Sequence, residues 1–259
     1  MQPLEKADIA AFREVRFVLT DMDETLTYNG RLSARTYAAL ENLQSAGVTV
    51  IPVTAAPAGW CDQMARMWPV DGVIGENGGF FFRRGRNAHA VERHFWHAAD
   101  DRAAKTVQLE TIGEEVLHAV PAAVFAEDQP FRLTSLAFAQ PRDRTERELI
   151  LATLRSRSAD VTVNNLWVLG WLGGYDKLSM ARRVLLEHYG LDVDTERGAV
   201  LYAGDSTNDA PMFSFFEHTV GVCTITKYLD DLPRLPRWIT NGPGGSGFVE
   251  AAEAVIASR

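Results

Sequence analysis

Asp21 and Asp23 close a short apolar run, Val15-Arg-Phe-Val-Leu-Thr-Asp21. On an extended chain side chains repeat every second residue, so the two carboxylates can point the same way. Two acids so placed can share a group transfer, one attacking and the other moving a proton. Thr54 ends a second run of the same kind, Val48 to Thr54, and Gly204-Asp205-Ser206-Thr207-Asn208-Asp209 follows a third, Ala199 to Ala203. Lys177 falls in the first turn of a helix capped by Asp176. There the helix dipole disfavours a cation by about 0.3–1 kcal/mol, so something anionic is expected opposite it. One acid after a strand is ordinarily a turn or helix cap; several converging at strand ends point to chemistry. Asp21, Asp23, Asp205 and Asp209 together carry more negative charge than Lys177 balances, which calls for a metal. Oxygen donors without histidine or cysteine favour magnesium, bridging carboxylates to a phosphoryl group.

These residues need a frame that brings strand ends together. Between the first two runs, Ser33 caps a helix with Tyr37, Leu40 and Leu43 on one face, and Gly47 stands at its C-terminal end. Pro57 opens a second helix with Trp60, Met64 and Met67 along one side, Pro69 halts it, and Val70 to Ile74 reads as a third strand. The alternation resumes with the helix of Leu178, Ala181, Val184 and Leu185, then strands at Ala199–Ala203, Thr219–Val222 and Trp238–Thr240. Such crossovers imply an α/β fold, a doubly wound Rossmann-like parallel sheet that gathers ligands beyond the carboxyl ends of its strands. Residues 81–174 differ: a hairpin over Phe80 to Trp96, a helix near 100–118, two strands, a helix near 143–157, and two strands joined at Asn164-Asn165. Paired strands suggest an antiparallel sheet with helices on one face. The expected division is a core of residues 1–80 and 175–259 with an α+β cap, 81–174, inserted into it.

The chain has 259 residues, 46% hydrophobic and 23% charged, which describes a folded globular protein. Its 26 basic and 34 acidic residues leave a net charge of −8, which argues against nucleic acid as a partner. Glu5, Lys6, Asp8, Arg13 and Glu14 interrupt the N-terminus where a signal peptide would be apolar, and no long apolar stretch follows, so a cytoplasmic protein without a membrane partner is expected. Cys61 and Cys223 read as ordinary buried thiols. Gly242-Pro-Gly244-Gly-Ser-Gly247 has the spacing of a dinucleotide loop, but only twelve residues follow it, so a turn and helix cap is the better reading. His94 and His97 lack further ligands at metal spacing and are assigned no metal.

Taken together, the residues resemble the haloacid dehalogenase superfamily of phosphohydrolases. The match runs through Asp21-Met-Asp23-Glu-Thr25, then Thr54, Lys177, and Gly204-Asp205-Ser-Thr-Asn208-Asp209, in that order along nearly the whole chain. The insert resembles a C2 cap of type B. Gly75-Glu76-Asn77-Gly78-Gly79 and Asn208-Asp209-Ala210-Pro211-Met212 look most like the sugar-phosphate phosphatases, including mannosyl-3-phosphoglycerate and sucrose phosphatases.

The resemblance implies a magnesium-dependent phosphatase acting on a small phosphorylated metabolite, a sugar phosphate or glycosyl phosphoglycerate, through a phosphoaspartate. In that scheme Asp21 attacks and Asp23 is the acid and base. Thr54, Ala55, Lys177 and Asn208 hold the phosphoryl group, and Asp21, Asp23 (through its carbonyl), Asp205 and Asp209 serve the metal. Asn77, Gly78, Trp167 and Trp171 are candidate substrate contacts, and Arg83 and Arg132 candidates for a second anion. A homo-oligomer is compatible with this reading. A phosphomutase, or a non-catalytic phosphorylation-sensing receiver-like domain, are the alternatives. The sequence departs from the family at Glu24, where glycine is common, at Ala55-Ala56, where Gly-Arg is usual, and at Leu178, where glycine is usual.

Overall fold

The computed structural model describes residues 1–259 apart from Ala88 and Asn165. In chain order its elements are β1 (Gln2–Pro3), β2 (Phe17–Thr20), β3 (Thr27–Tyr28), β4 (Arg31–Leu32), α1 (Ala34–Ser45), β5 (Thr49–Pro52), α2 (Ala58–Met67), β6 (Val73–Gly75), β7 (Phe80–Arg84), β8 (Val91–Phe95) and α3 (Ala99–Ala119). There follow β9 (Ser135–Ala139), α4 (Arg144–Ser156), β10 (Asp160–Val163), β11 (Trp167–Trp171), α5 (Lys177–Tyr189), β12 (Val200–Gly204), α6 (Ala210–Phe215), β13 (His218–Gly221), β14 (Trp238–Ile239) and α7 (Gly244–Ala257).

β2 and β12 are buried along their whole length, as the central strands of a sheet covered on both faces must be. They pair in parallel as interior strands of a six-stranded sheet ordered β1-β14-β13-β12-β2-β5. Two apolar layers cover it. One joins α1, α2 and α7 through Leu40, Leu43, Met64 and Phe248; the other joins α5 and α6 through Val184, Leu185, Met212 and Phe213. The local signals hold where the side chains act alone. Ser33 accepts from the Thr36 amide at 3.1 Å, Gly47 takes φ +75°, and Asp176 and Ser179 form a reciprocal capping box at the start of α5. The glycine-rich 242–247 segment opens α7, and Glu250 accepts the amides of Asn241 and Gly242, so the loop is closed by its own helix. Among the described residues, no helix is long and apolar enough to cross a membrane.

Several expectations shift once packing is seen. The third strand, expected over Val70–Ile74, lies at Val73–Gly75 and meets the main sheet through the parallel bridge Val53–Ile74. It pairs antiparallel with β7 instead, in a separate sheet ordered β6-β7-β8. Phe80, Phe81 and Phe82 are buried in the two core layers, so the hairpin expected at the start of the cap packs on the core side. In α2 the buried face is Ala58, Cys61, Met64 and Ala65; Trp60 and Met67 share the helical spacing but point outward. The cap sheet is antiparallel and ordered β10-β11-β9, with one of the four expected strands reduced to a single bridge between Phe125 and Phe138. Asn165, half of the turn expected between its last two strands, lies outside the described residues. α3 and α4 pack on this sheet through Ile112, Val116, Ile150 and Leu154.

A buried polar anchor ties this sheet to the core. The Glu76 carboxylate accepts from the amides of Ala58 (3.1 Å), Leu133 (2.9 Å) and Thr134 (2.7 Å) and from the hydroxyls of Thr134 and Ser135 (both 2.8 Å). Beside it Arg132 forms a two-pronged pair with Asp128 and donates to the Ala55 carbonyl at 3.0 Å. Glu76 and Asn77 both take left-handed φ, +46° and +57°, a strained pairing that these bonds hold in place.

Candidate active site

Asp21 follows β2, Thr54 follows β5 and Asp205 follows β12, and these are neighbouring strands, so the three side chains meet at one edge. The Asp21 amide is held by the Ala203 carbonyl at 2.8 Å, which continues the β2–β12 ladder to Asp21. α5 begins beside the same edge, and Lys177 is wholly buried there, 2.6 Å from Asp21 Oδ1 and 2.7 Å from Asp209 Oδ1. These are the anions its place in the first helical turn calls for. Thr54 Oγ1 accepts the Ala56 amide at 3.0 Å, which leaves its hydroxyl proton available to a ligand.

Asp209 is engaged on both oxygens. Oδ1 accepts from Lys177 and from the Tyr202 hydroxyl at 2.5 Å, while Oδ2 accepts the amides of Asp205 (3.0 Å) and Ser206 (3.2 Å). A side chain at Gly204 would meet Asp209 Oδ2 at 2.4 Å, so this bracket requires glycine. Thr25 Oγ1 lies 3.4 Å from Asp205 Oδ1 and braces that loop. The turn after Asp23 is kept by Glu24 itself, at φ +58°, in the region glycine usually fills. The flap beyond it pairs β3 with β4 across Asn29 and Gly30, both at positive φ.

Burial sets the electrostatics. It pushes Asp21 up to about 7 against the pull of Lys177, and Asp23 up to about 6. Asp205 rises furthest, to about 9, through burial and then the charges of Asp21 and Asp209. Lys177 stays firmly protonated: burial opposes its charge, and Asp209 and Asp21 more than restore it. Asp21, Asp205 and Asp209 each present an oxygen within 4.8 Å of the others. Three carboxylates facing one ammonium, with oxygen donors only, fit a hard divalent cation.

A cavity of about 60 Å³ opens over this edge, lined by Asp21, Asp23, Ala55, Asp205 and Asn208 of the core and by Asn164 and Leu166 of the cap. The core residues expected from sequence are thus brought together; the cap residues are not. Trp171 is buried, donating to the Tyr175 carbonyl at 2.9 Å and stacking on that ring, and Trp167 is half-buried on β11. Asn77 and Gly78 are buried beneath the site, where a side chain at Gly78 would strike the Asp176 carbonyl at 2.4 Å. Arg83 is paired with Glu92 and Arg132 with Asp128. Sequence reasoning passed over Asn164 and Leu166, Tyr202 and Glu76. Asn164 carries a readable turn signal, since its side chain accepts the amides of Leu166 and Trp167; Tyr202 meets Asp209 seven residues on, while Leu166 and Glu76 depend on contacts distant in sequence.

Residues 18–107, the first part of the chain, match the family model of the haloacid dehalogenase-like hydrolases. The fold is similar to that of protein 0175 from Thermoplasma acidophilum, at 20% identity and TM-score 0.71 over 93% of this chain and 98% of that one. A HAD/COF-like hydrolase from Plasmodium vivax aligns at 14% identity and TM-score 0.70, over 97% of this chain and 100% of that one. The C-terminal domain of trehalose-6-phosphate phosphatase from C. albicans aligns at 13% identity and TM-score 0.69, over 96% of each chain. A comparison with curated protein sequences finds no match.

Proposed function

We propose that the chain is a cytoplasmic, magnesium-dependent phosphatase of small phosphomonoesters, with a sugar phosphate or glycosyl phosphoglycerate as substrate. The observation that carries this reading is the buried Lys177 ammonium held against Asp21 and Asp209 where the Thr54 and Asp205 strand ends converge. Solved folds similar to this one include a trehalose-6-phosphate phosphatase, and the family match is to hydrolases.

In the mechanism, the Asp21 carboxylate attacks phosphorus, forming an aspartyl phosphate as the ester P–O bond breaks. Asp23 gives its proton to the departing oxygen; burial, which raises it to about 6, keeps part of the population protonated near neutrality. The same carboxylate then takes a proton from the water that hydrolyses the aspartyl phosphate. Lys177 and the Thr54 hydroxyl hold the phosphoryl oxygens, with the Ala55 amide and Asn208 at the cavity wall. Asp21, the Asp23 carbonyl and Asp205 would hold magnesium, which supplies positive charge to the transferring group. Asp209, with both oxygens already occupied, serves mainly to fix Lys177.

The test is phosphate release from p-nitrophenyl phosphate with magnesium present. Asp21→Asn keeps the side chain's size and removes the attacking charge, and should lower the rate by about a thousandfold or more. Turnover by Asp21→Asn within tenfold of the wild-type rate would overturn the assignment.

A further inference from the structure

A second cavity, of about 500 Å³, continues from the first and shares Asn164 and Ser206 with it. One wall belongs to the cap and includes Gln140, Arg147 and Glu148; the other belongs to the core and includes Thr207, Tyr228 and Asp231. Arg147 is the anomaly in it. Every other lysine or arginine that is at least partly buried meets a carboxylate or, for Arg102, the face of Phe95, among the described residues. Arg147 is half-buried and meets neither. It also stands in the first turns of α4, where the helix dipole opposes a cation. A guanidinium that lines the cleft without an ion-pair partner of its own is placed to meet an anion there. Around it, carboxylates, amides and a threonine hydroxyl offer the acceptors and donors that a chain of hydroxyl groups requires.

We propose that this cleft receives the leaving group and that Arg147 binds a second anionic group on it. The substrate is then a phosphomonoester of a polyhydroxylated molecule that also carries a carboxylate or another phosphate. This rests on the phosphatase reading above and narrows it.

The test compares kcat/KM for 6-phosphogluconate, glucose 1,6-bisphosphate and glucose 6-phosphate, which share a phosphorylated six-carbon chain and differ in carrying a carboxylate, a second phosphate or neither. The wild-type protein should favour one or both doubly anionic esters, and which of them is favoured names the anion. In Arg147→Gln the ratio of doubly to singly anionic kcat/KM should fall about tenfold, the loss expected for one charge-assisted hydrogen bond, while Arg147→Lys should keep part of it. A wild-type ratio near one, or a ratio unchanged in Arg147→Gln, would overturn the proposal. Failure to release phosphate even from p-nitrophenyl phosphate would instead overturn the phosphatase reading, so the two failures are separable.

Discussion

The buried Glu76 carboxylate and the buried cluster of Asp21, Asp205 and Asp209 are built on opposite plans. Glu76 is fully buried and accepts five hydrogen bonds, all from neutral amides and hydroxyls. Asp21, Asp205 and Asp209 crowd together around one ammonium, and burial lifts Asp21 and Asp205 well above the usual carboxylate range. A buried charge that is saturated with donors is a structural tie, and here it joins core to cap. A buried cluster left short of positive charge stores an electrostatic demand that a bound ion and a phosphoryl group can answer.

The sharpest way to break this contrast is to remove the tie. Glu76→Ala would strand five donors in the interior and should destabilise the protein by about 3 kcal/mol or more, read from urea unfolding. A loss below about 1 kcal/mol would mean that the anchor is not what holds the cap. At the other cluster, removing an acid should act in the reverse direction. Without metal at pH 8, Asp205→Asn should raise stability by about 1 kcal/mol while weakening magnesium binding at least about tenfold by titration calorimetry. A variant that loses stability and still binds magnesium normally would contradict the demand ascribed to the cluster.

The smallest effect concerns pH. Asp21 stands at about 7 and Asp205 at about 9 in the folded protein, against an ordinary 3.8 when unfolded. As pH rises above 3.8 the unfolded chain releases these protons first, so the metal-free folded state loses relative stability until the folded values are passed. Magnesium binds the ionised carboxylates and should therefore raise Tm more at pH 8 than at pH 5.5, by a few degrees. Equal shifts at the two pH values would count against the raised carboxylates.

How much of this could be read beforehand depended on how far apart the cooperating residues lie. Asp21, Thr54, Asp205 and Lys177 announce themselves because each stands at the end of its own strand or the start of its own helix, and a parallel sheet brings such positions to one edge. Ser33, Asp176 and Gly47 were legible for the same reason, since a cap acts within three or four residues. Glu76 was not, because its partners at 133–135 are reached only after the cap sheet has folded back. Nor was the hairpin's allegiance, which turns on three phenylalanines finding the two core layers. Arg147 reads in sequence as one more helical surface charge; its half-burial and lack of a counter-ion exist only in the assembled cleft.

The Glu76 anchor has a mechanical consequence. Ser135, at the tied end of β9, pairs with Trp171, whereas Ala139, at the far end, pairs with Trp167, next to Leu166, which lines the first cavity. That strand spans about 13 Å, so rocking the sheet by about 15° about its tied end would carry its far end by about 3 Å. Any rigid-body motion of the tied sheet is therefore largest at the end that faces the cavity.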